Sequence, residues 1–316
     1  MNEICIIYCP THKAFTSPKK RWMKIADALA AHNVSYDVIY SEERQSVEKL
    51  VTKAVNDGYK TLVIAGGDSA LNDAVNSLMR MEIHQRDNVM LGVIPNGIMN
   101  DFAAYWGLTY NNVEKSIRSI VERRIRRVDA GCLRYKNKEG EKKQRYFIDC
   151  VNVGLLASIQ GLKQKTRRVL WSRKVSFTVS LLLTIFHRLT FKMRYKINET
   201  DETHRVTTLC IGSAWGYGQT PNATPYSGML DVTVVRSTLL MQHIEAIFFF
   251  LIGRLLNSKR ILPYRTRSIR ILSDKRLPVT VDGHPLKEQI RTMTVDIEPE
   301  VINFIIEESE KSKKSQ

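Results

Sequence analysis

Apolar and polar positions follow two different rhythms along this chain, and the change falls near residue 127. Before it, short apolar runs at 3–8, 34–40, 61–65 and 90–94 read as strands. Between them, 19–32 shows helical spacing through Trp22, Ile25, Ala26 and Leu29, and 47–55 and 71–81 repeat that period. Strands and helices in strict alternation predict a parallel sheet covered by helices, with ligands taken at the carboxyl ends of the strands.

After Arg127 the helical period largely disappears. Strand-like runs at 128–135, 145–153, 189–197, 206–213, 230–235, 268–272, 278–281 and 292–297 follow one another across turn signals such as Asn198-Glu199-Thr200 and Asp282-Gly283. Helical spacing is clear only at 168–186 and 239–256. An antiparallel sheet or sandwich is the natural reading. The expected division is an α/β domain over 1–127, completed by 301–310, and a β-rich domain over 128–300. The tail at 307–316 is polar and expected to fray.

Two loops carry the chemistry. Gly66-Gly67-Asp68-Ser69-Ala70 follows the apolar run 61–65, and Pro95-Asn96-Gly97-Ile98-Met99-Asn100-Asp101 follows 90–94. Both fall where a parallel sheet presents its carboxyl edge. Glycine lets backbone N–H groups approach an anion closely, and the helix N-terminus that follows adds its dipole. The pair therefore reads as a phosphate cradle with acidic ends, and the chain as a nucleotide-using enzyme.

Charge narrows the partners. With 48 Lys+Arg against 32 Asp+Glu, the chain carries +16, a field that attracts polyanions or an anionic membrane face. Basic residues cluster at 123–127, 163–174 and 254–276, but none of these runs comes with a zinc finger, a basic zipper or an aromatic RNA-binding signature. Nucleic acid is therefore not an expected partner. Five scattered cysteines form no CxxC and predict reduced thiols and a cytoplasmic address. Met1 leads through Glu3 into a strand, so no secretory leader is expected. The apolar run 175–186 is too short to cross ~30 Å of hydrocarbon. The longer run 239–256 contains His243, Glu245 and Arg254 and suits a buried amphipathic helix better.

The two loops, read with Tyr226-Ser227-Gly228-Met229-Leu230-Asp231 and Asp282-Gly283-His284, resemble the diacylglycerol kinase catalytic family, the bacterial soluble lipid kinases related to sphingosine and ceramide kinases. In that family a GGDGT-x-NE loop precedes a PxGTxND loop; the first is matched here through Asn72 and Asp73. The resemblance spans nearly the whole chain and implies a two-domain NAD kinase/diacylglycerol kinase-like α/β fold. It further implies transfer of the γ-phosphate of ATP to a lipid hydroxyl with Mg²⁺ present, by an enzyme that meets an anionic membrane peripherally. Gly66, Gly67, Asp68, Ser69 and Asn72 would line the nucleotide phosphates. Pro95, Gly97, Asn100 and Asp101 would complete the pocket. Asp68 and Asp282 would share metal holding and hydroxyl activation.

The departures are equally specific. The family's early NPxSG turn becomes Cys9-Pro10-Thr11-His12-Lys13, the fourth glycine of GGDGT becomes Ser69, and the threonine of PxGTxND becomes Ile98. Ser69 raises the question of whether that position needs a positive φ. The DGE acid becomes His284. A neutral imidazole, with an unperturbed pKa of about 6.5, can take a hydroxyl proton near pH 7; alternatively His284 merely completes the turn. These changes leave open a degenerate relative that binds nucleotide or lipid without catalysis.

Overall fold

The computed structural model describes residues 2–10, 17–42, 46–97, 100–137, 139–158, 190–215, 219–236, 261–288 and 290–307. The helices expected at 168–186 and 239–256, the basic run 163–174 and positions Ile98 and Met99 lie outside the described residues. The chain divides into two compact units, Met1–Ala130 with Pro299–Gln316, and Gly131–Glu298.

In the first unit the expected alternation is present. Strands β1 (Ile4–Tyr8), β2 (Tyr36–Tyr40), β3 (Thr61–Gly66) and β4 (Met90–Pro95) are parallel, and β1 lies between β2 and β3. The last strand, β15 (Ile290–Ile305), lies on the other side of β4, with Asn303 and Phe304 beside Met90 and Leu91. The later part of this strand, from Pro299, falls in the first unit. Strand β3 is buried at every position, as a central strand covered on both faces must be.

Helix starts follow from local chemistry. Helix α1 (Pro18–Ala31) opens on Ser17, whose hydroxyl takes the Lys20 N–H, with Pro18 in the first turn. Helix α2 (Ser46–Asn56) precedes β3, and α3 (Asp68–Met79) leaves it directly through Gly67. Three helices are absent from the periodicity reading: α4 (Ile83–Asp87), α5 (Asp101–Tyr105) and α6 (Val113–Glu122). Val113, Ile117 and Ile120 of α6 pack with Ile6, Ile25, Leu29 and Ile94 in the unit's core.

The second unit is antiparallel. Strands β5 (Ile125–Lys136) and β6 (Lys142–Phe147) form a hairpin. Strand β7 (Cys150–Gly154) pairs with β9 (Thr200–Gly212), which pairs in turn with β8 (Phe191–Ile197) and β10 (Leu230–Arg236). Strand β11 (Ile261–Thr266) flanks β10, and β12 (Ser268–Leu277) joins β8 to the first half of β15. Strands β13 (Val279–Val281) and β14 (His284–Pro285) complete the β7 edge. The core is aliphatic and aromatic, with Phe147, Tyr195, Leu209, Val232 and Ile271 fully sealed.

Two strand expectations need correcting. The run 145–153 is two strands, broken at Ile148-Asp149. Conversely, 292–297 and 301–306 belong to one strand that runs through Pro299 and Glu300. Glu300 adopts φ 51°, and its N–H is taken by the buried Asp129 carboxylate at 2.9 Å, which carries the strand across the irregularity.

Candidate active site

The two glycine loops of the first unit meet at the carboxyl ends of β3 and β4. Asn96 N–H donates to Gly66 O at 2.8 Å, and the Asn96 side chain donates to Cys9 O at 3.0 Å, so one residue ties the second loop to the first and to the end of β1. Gly97 N–H donates to Asn100 Oδ1 at 2.8 Å, closing the second loop on itself. Asp68, 6% exposed, is the first residue of α3, and its Oδ2 accepts the Asp101 N–H at 3.1 Å. One hydrogen bond thus brings together the acids that end both loops.

Gly66 is required by space. A Cβ there would lie 2.8 Å from the Ala70 Cβ, because α3 turns back tightly over the strand end. Ser69 sits in the first turn of α3 and is not among the residues of positive φ. The conformational demand for glycine at that position is therefore not present in this chain. Gly67 caps the helix with ordinary extended backbone. The opening N–H groups of a helix have no acceptors within it, and those of α3 are the donors an anion would meet.

Asp101 is electrostatically unusual. Burial pushes its carboxyl up to about 6, and its Oδ2 is buried without a hydrogen-bond partner among the described residues. Asp101 ionises less readily in the folded chain than in the unfolded one, so wild-type stability falls as pH rises from about 4 through about 6. Asp101→Asn removes this dependence and is expected to be about 1–3 kcal/mol more stable than wild type at pH 8, and no more stable at pH 4. Urea unfolding at the two pH values checks it.

The nucleotide set is not uniformly placed. Asn72 is fully buried inside α3, where its Oδ1 accepts the Asn76 amide. Pro95 and Gly97 are buried, while Gly67, Ser69, Asn100 and Asp101 reach partial exposure. Arg21 is a participant that the loop motifs do not contain. It is 4% exposed, donates to Pro95 O at 2.8 Å, and stacks 3.9 Å over the Tyr110 ring. Burial lowers its pKa from the usual guanidinium range. Its signal in the sequence is position: Arg21 falls on the buried stripe with Ile25 and Leu29, where a charge has to have a reason.

In the second unit, Asp282 and Gly283 form a two-residue hairpin turn between β13 and β14, with φ of 44° and 73°. Two consecutive positive φ values are what a type I′ turn asks of its Asp-Gly pair. The Asp282 carboxylate, 2% exposed, accepts three main-chain N–H groups: Ile148 at 3.0 Å on Oδ2, and Asp149 at 3.1 Å and Cys150 at 2.8 Å on Oδ1. Its own N–H donates to Cys150 O at 2.9 Å. Here the carboxylate that the resemblance gives to metal and hydroxyl is engaged in holding the break between β6 and β7. The next side chain, His284, is 5% exposed, and both of its ring nitrogens lack a hydrogen-bond partner among the described residues. A buried imidazole with neither nitrogen satisfied carries a desolvation cost that a ligand can repay.

A divalent cation fits the first unit. Asp68 and Asp101 offer hard oxygens from adjacent loops, and the Asp101 Oδ2 has no competing donor among the described residues. Among the described residues no three His, Cys, Asp or Glu side chains gather as a complete metal cage. Hard carboxylate oxygens are the donors a divalent cation takes.

Comparison with known proteins agrees with this layout. A family model of the diacylglycerol kinase catalytic domain matches residues 6–133, and one of the YegS C-terminal NAD kinase beta sandwich-like domain matches 149–306. A Shewanella frigidimarina protein named "Probable lipid kinase YegS-like" is 26% identical over 292 residues, 88% of this chain and 87% of its own length. A diacylglycerol kinase of Bacillus subtilis is 21% identical over 229 residues, 71% of each chain. Among solved structures, a diacylglycerol kinase from Bacillus anthracis superposes with a TM-score of 0.66 at 16% identity, covering 97% of both chains. Yeast NADH kinase in complex with NADH reaches 0.55 at 11% identity, covering 98% of this chain and 85% of that one.

Proposed function

Because this chain belongs to the family that joins a diacylglycerol kinase catalytic domain to a YegS C-terminal NAD kinase beta sandwich-like domain, we propose that it transfers the γ-phosphate of ATP to the hydroxyl of a lipid. The observation that carries this reading is the Asp68–Asp101 pair at the meeting of two glycine loops and the start of α3. Phosphoryl transfer is mostly positioning and charge neutralisation, and this edge offers main-chain donors for phosphate beside carboxylates for a cation.

In this reading Gly66, Gly67, Ser69 and Gly97 let the main chain approach the phosphates, and Asn96, Asn100 and Arg21 hold the second loop in register with the first. Asp68 and Asp101 would hold Mg²⁺, which would neutralise the phosphate charge when bound. His284 takes the proton from the acceptor hydroxyl, in the position where the family carries an acid. Asp282 fixes the turn that presents it. The acceptor is a diacylglycerol, a sphingoid base, a ceramide or a related amphiphile, and the enzyme works at an anionic membrane surface from the cytoplasm. Among the described residues no helix is long and apolar enough to cross a membrane.

The test is transfer of labelled γ-phosphate to a panel of those lipids, with NAD assayed beside them. Label on a lipid is the expected result. No product together with a normal heat of Mg-ATP binding indicates a degenerate binder; label on NAD moves the chain to another branch of the fold. Within an active enzyme, His284→Ala is expected to lower kcat by about 10²–10⁴. His284→Glu is expected to keep much of the activity that His284→Ala loses, since a carboxylate can take the same proton. Equal loss in the two variants would remove the proton from His284.

A further inference from the structure

We infer that the solvent face of the sheet formed by β9, β8 and β12 is a docking surface for an anionic phospholipid bilayer. This deepens the proposed function and rests on it only for its biological purpose; the binding itself is a separate property.

The sheet pattern puts the charges on one side. Along β8, Phe191, Met193, Tyr195 and Ile197 enter the core, while Lys192, Arg194 and Lys196 are exposed. On the same face β9 exposes Asp201, Thr203 and Arg205, and β12 exposes Ser268, Arg270, Leu272 and Asp274. The register sets Arg205 directly opposite Lys192 and Arg270 directly opposite Lys196. Like charges in those positions cost stability. This face carries two carboxylates: Asp201, which lies opposite Lys196 and is held by Arg194 through two bonds of 2.8 Å, and Asp274 towards the end of β12. Lys192, Arg194, Lys196, Arg205 and Arg270 against Asp201 and Asp274 leave this face with an excess of cations, which favours an external anion.

Two further features select the bilayer. Beside Lys196 and Arg270 lies a groove of about 460 Å³, also lined by Arg267, Asn198, Thr266, Ser268 and Met229, so that cations and small polar groups suited to a headgroup phosphate sit beside an apolar side chain. Leu272, 47% exposed, stands on the same face opposite Arg194. An exposed aliphatic side chain with Arg194 opposite and Arg270 beside it matches the boundary between headgroups and acyl chains. The named positions include no aromatic ring on which a nucleic acid base could stack.

The experiment is co-sedimentation of the full chain with phosphatidylcholine vesicles, with and without phosphatidylglycerol. Wild type is expected to bind only the anionic vesicles, and less at high salt. R205E/R270E turns each repulsive pair into an attractive one, so its thermal midpoint is not expected to fall, while its partition onto anionic vesicles is expected to drop about thirtyfold or more. K49E/K53E, on α2 in the first unit, makes the same change in net charge and is expected to lose far less. Equal losses in the two variants, no loss in R205E/R270E, or equal binding to neutral vesicles overturns the assignment. So does capture of a duplex oligonucleotide without vesicle binding. Phosphate transfer to detergent-dispersed lipid is measured in parallel; its absence from wild type refutes the kinase reading and leaves the vesicle result standing.

Discussion

Asp68→Asn is expected to lower γ-phosphate transfer roughly a thousandfold while leaving the fold in place. Asparagine keeps an oxygen for the Asp101 N–H, so the bond between the loops can persist. The loss is one negative charge in the first turn of α3, with a stability cost of about 0.3–1 kcal/mol. The sign of the effect on nucleotide binding is the sharper test. A carboxylate beside a triphosphate is repulsive unless a cation lies between them. In chelator, Asp68→Asn therefore binds ATP as well as wild type or better; with Mg²⁺ it binds worse. Calorimetry under both conditions separates a metal-holding residue from a structural one. Activity within tenfold of wild type, or an unchanged ratio of the two affinities, removes Asp68 from the proposed chemistry.

The features legible in the sequence are those that depend on local pattern. Strands β1, β3 and β4 are continuous apolar runs, and the acids that follow β3 and β4 stand where a parallel sheet takes its ligands. The Asp-Gly pair at 282–283 announces its turn for the same reason. Features set by distant partners are not legible. The run 145–153 has no local signal for its break, because the break is held by Asp282, more than a hundred residues away. Pro299 and Glu300 look like the end of a strand, yet Asp129 takes the Glu300 N–H and β15 continues. Helix α6 was within reach, since Val113, Ile117 and Ile120 have helical spacing. At the site, the motif names Asp101, but its raised pKa comes from burial, and only the folded chain supplies that. The link from Arg21 to Pro95 likewise crosses 74 positions.

The same distance dependence makes Asp282 a vulnerable position in the second unit. Asp282→Asn is expected to destabilise the chain by about 3–5 kcal/mol, because three amides lose a charged acceptor and the new NH₂ group faces one of them donor to donor. Asp282→Ala loses the same bonds and also places an alanine at φ 44°, a left-handed conformation costing roughly 1–2 kcal/mol more. Asp282→Gly tolerates that backbone but supplies no acceptor, so it should fall between the alanine variant and wild type. Urea midpoints in the order wild type, then Asn and Gly, then Ala identify a carboxylate that holds a turn. The catalytic consequence follows from that order. Assayed at a temperature where it remains folded, Asp282→Asn should keep most of its kcat, whereas His284→Ala should be stable and slow. If Asp282→Asn is instead folded, stable and inactive, the carboxylate itself belongs to the reaction, and His284 returns to being part of the turn.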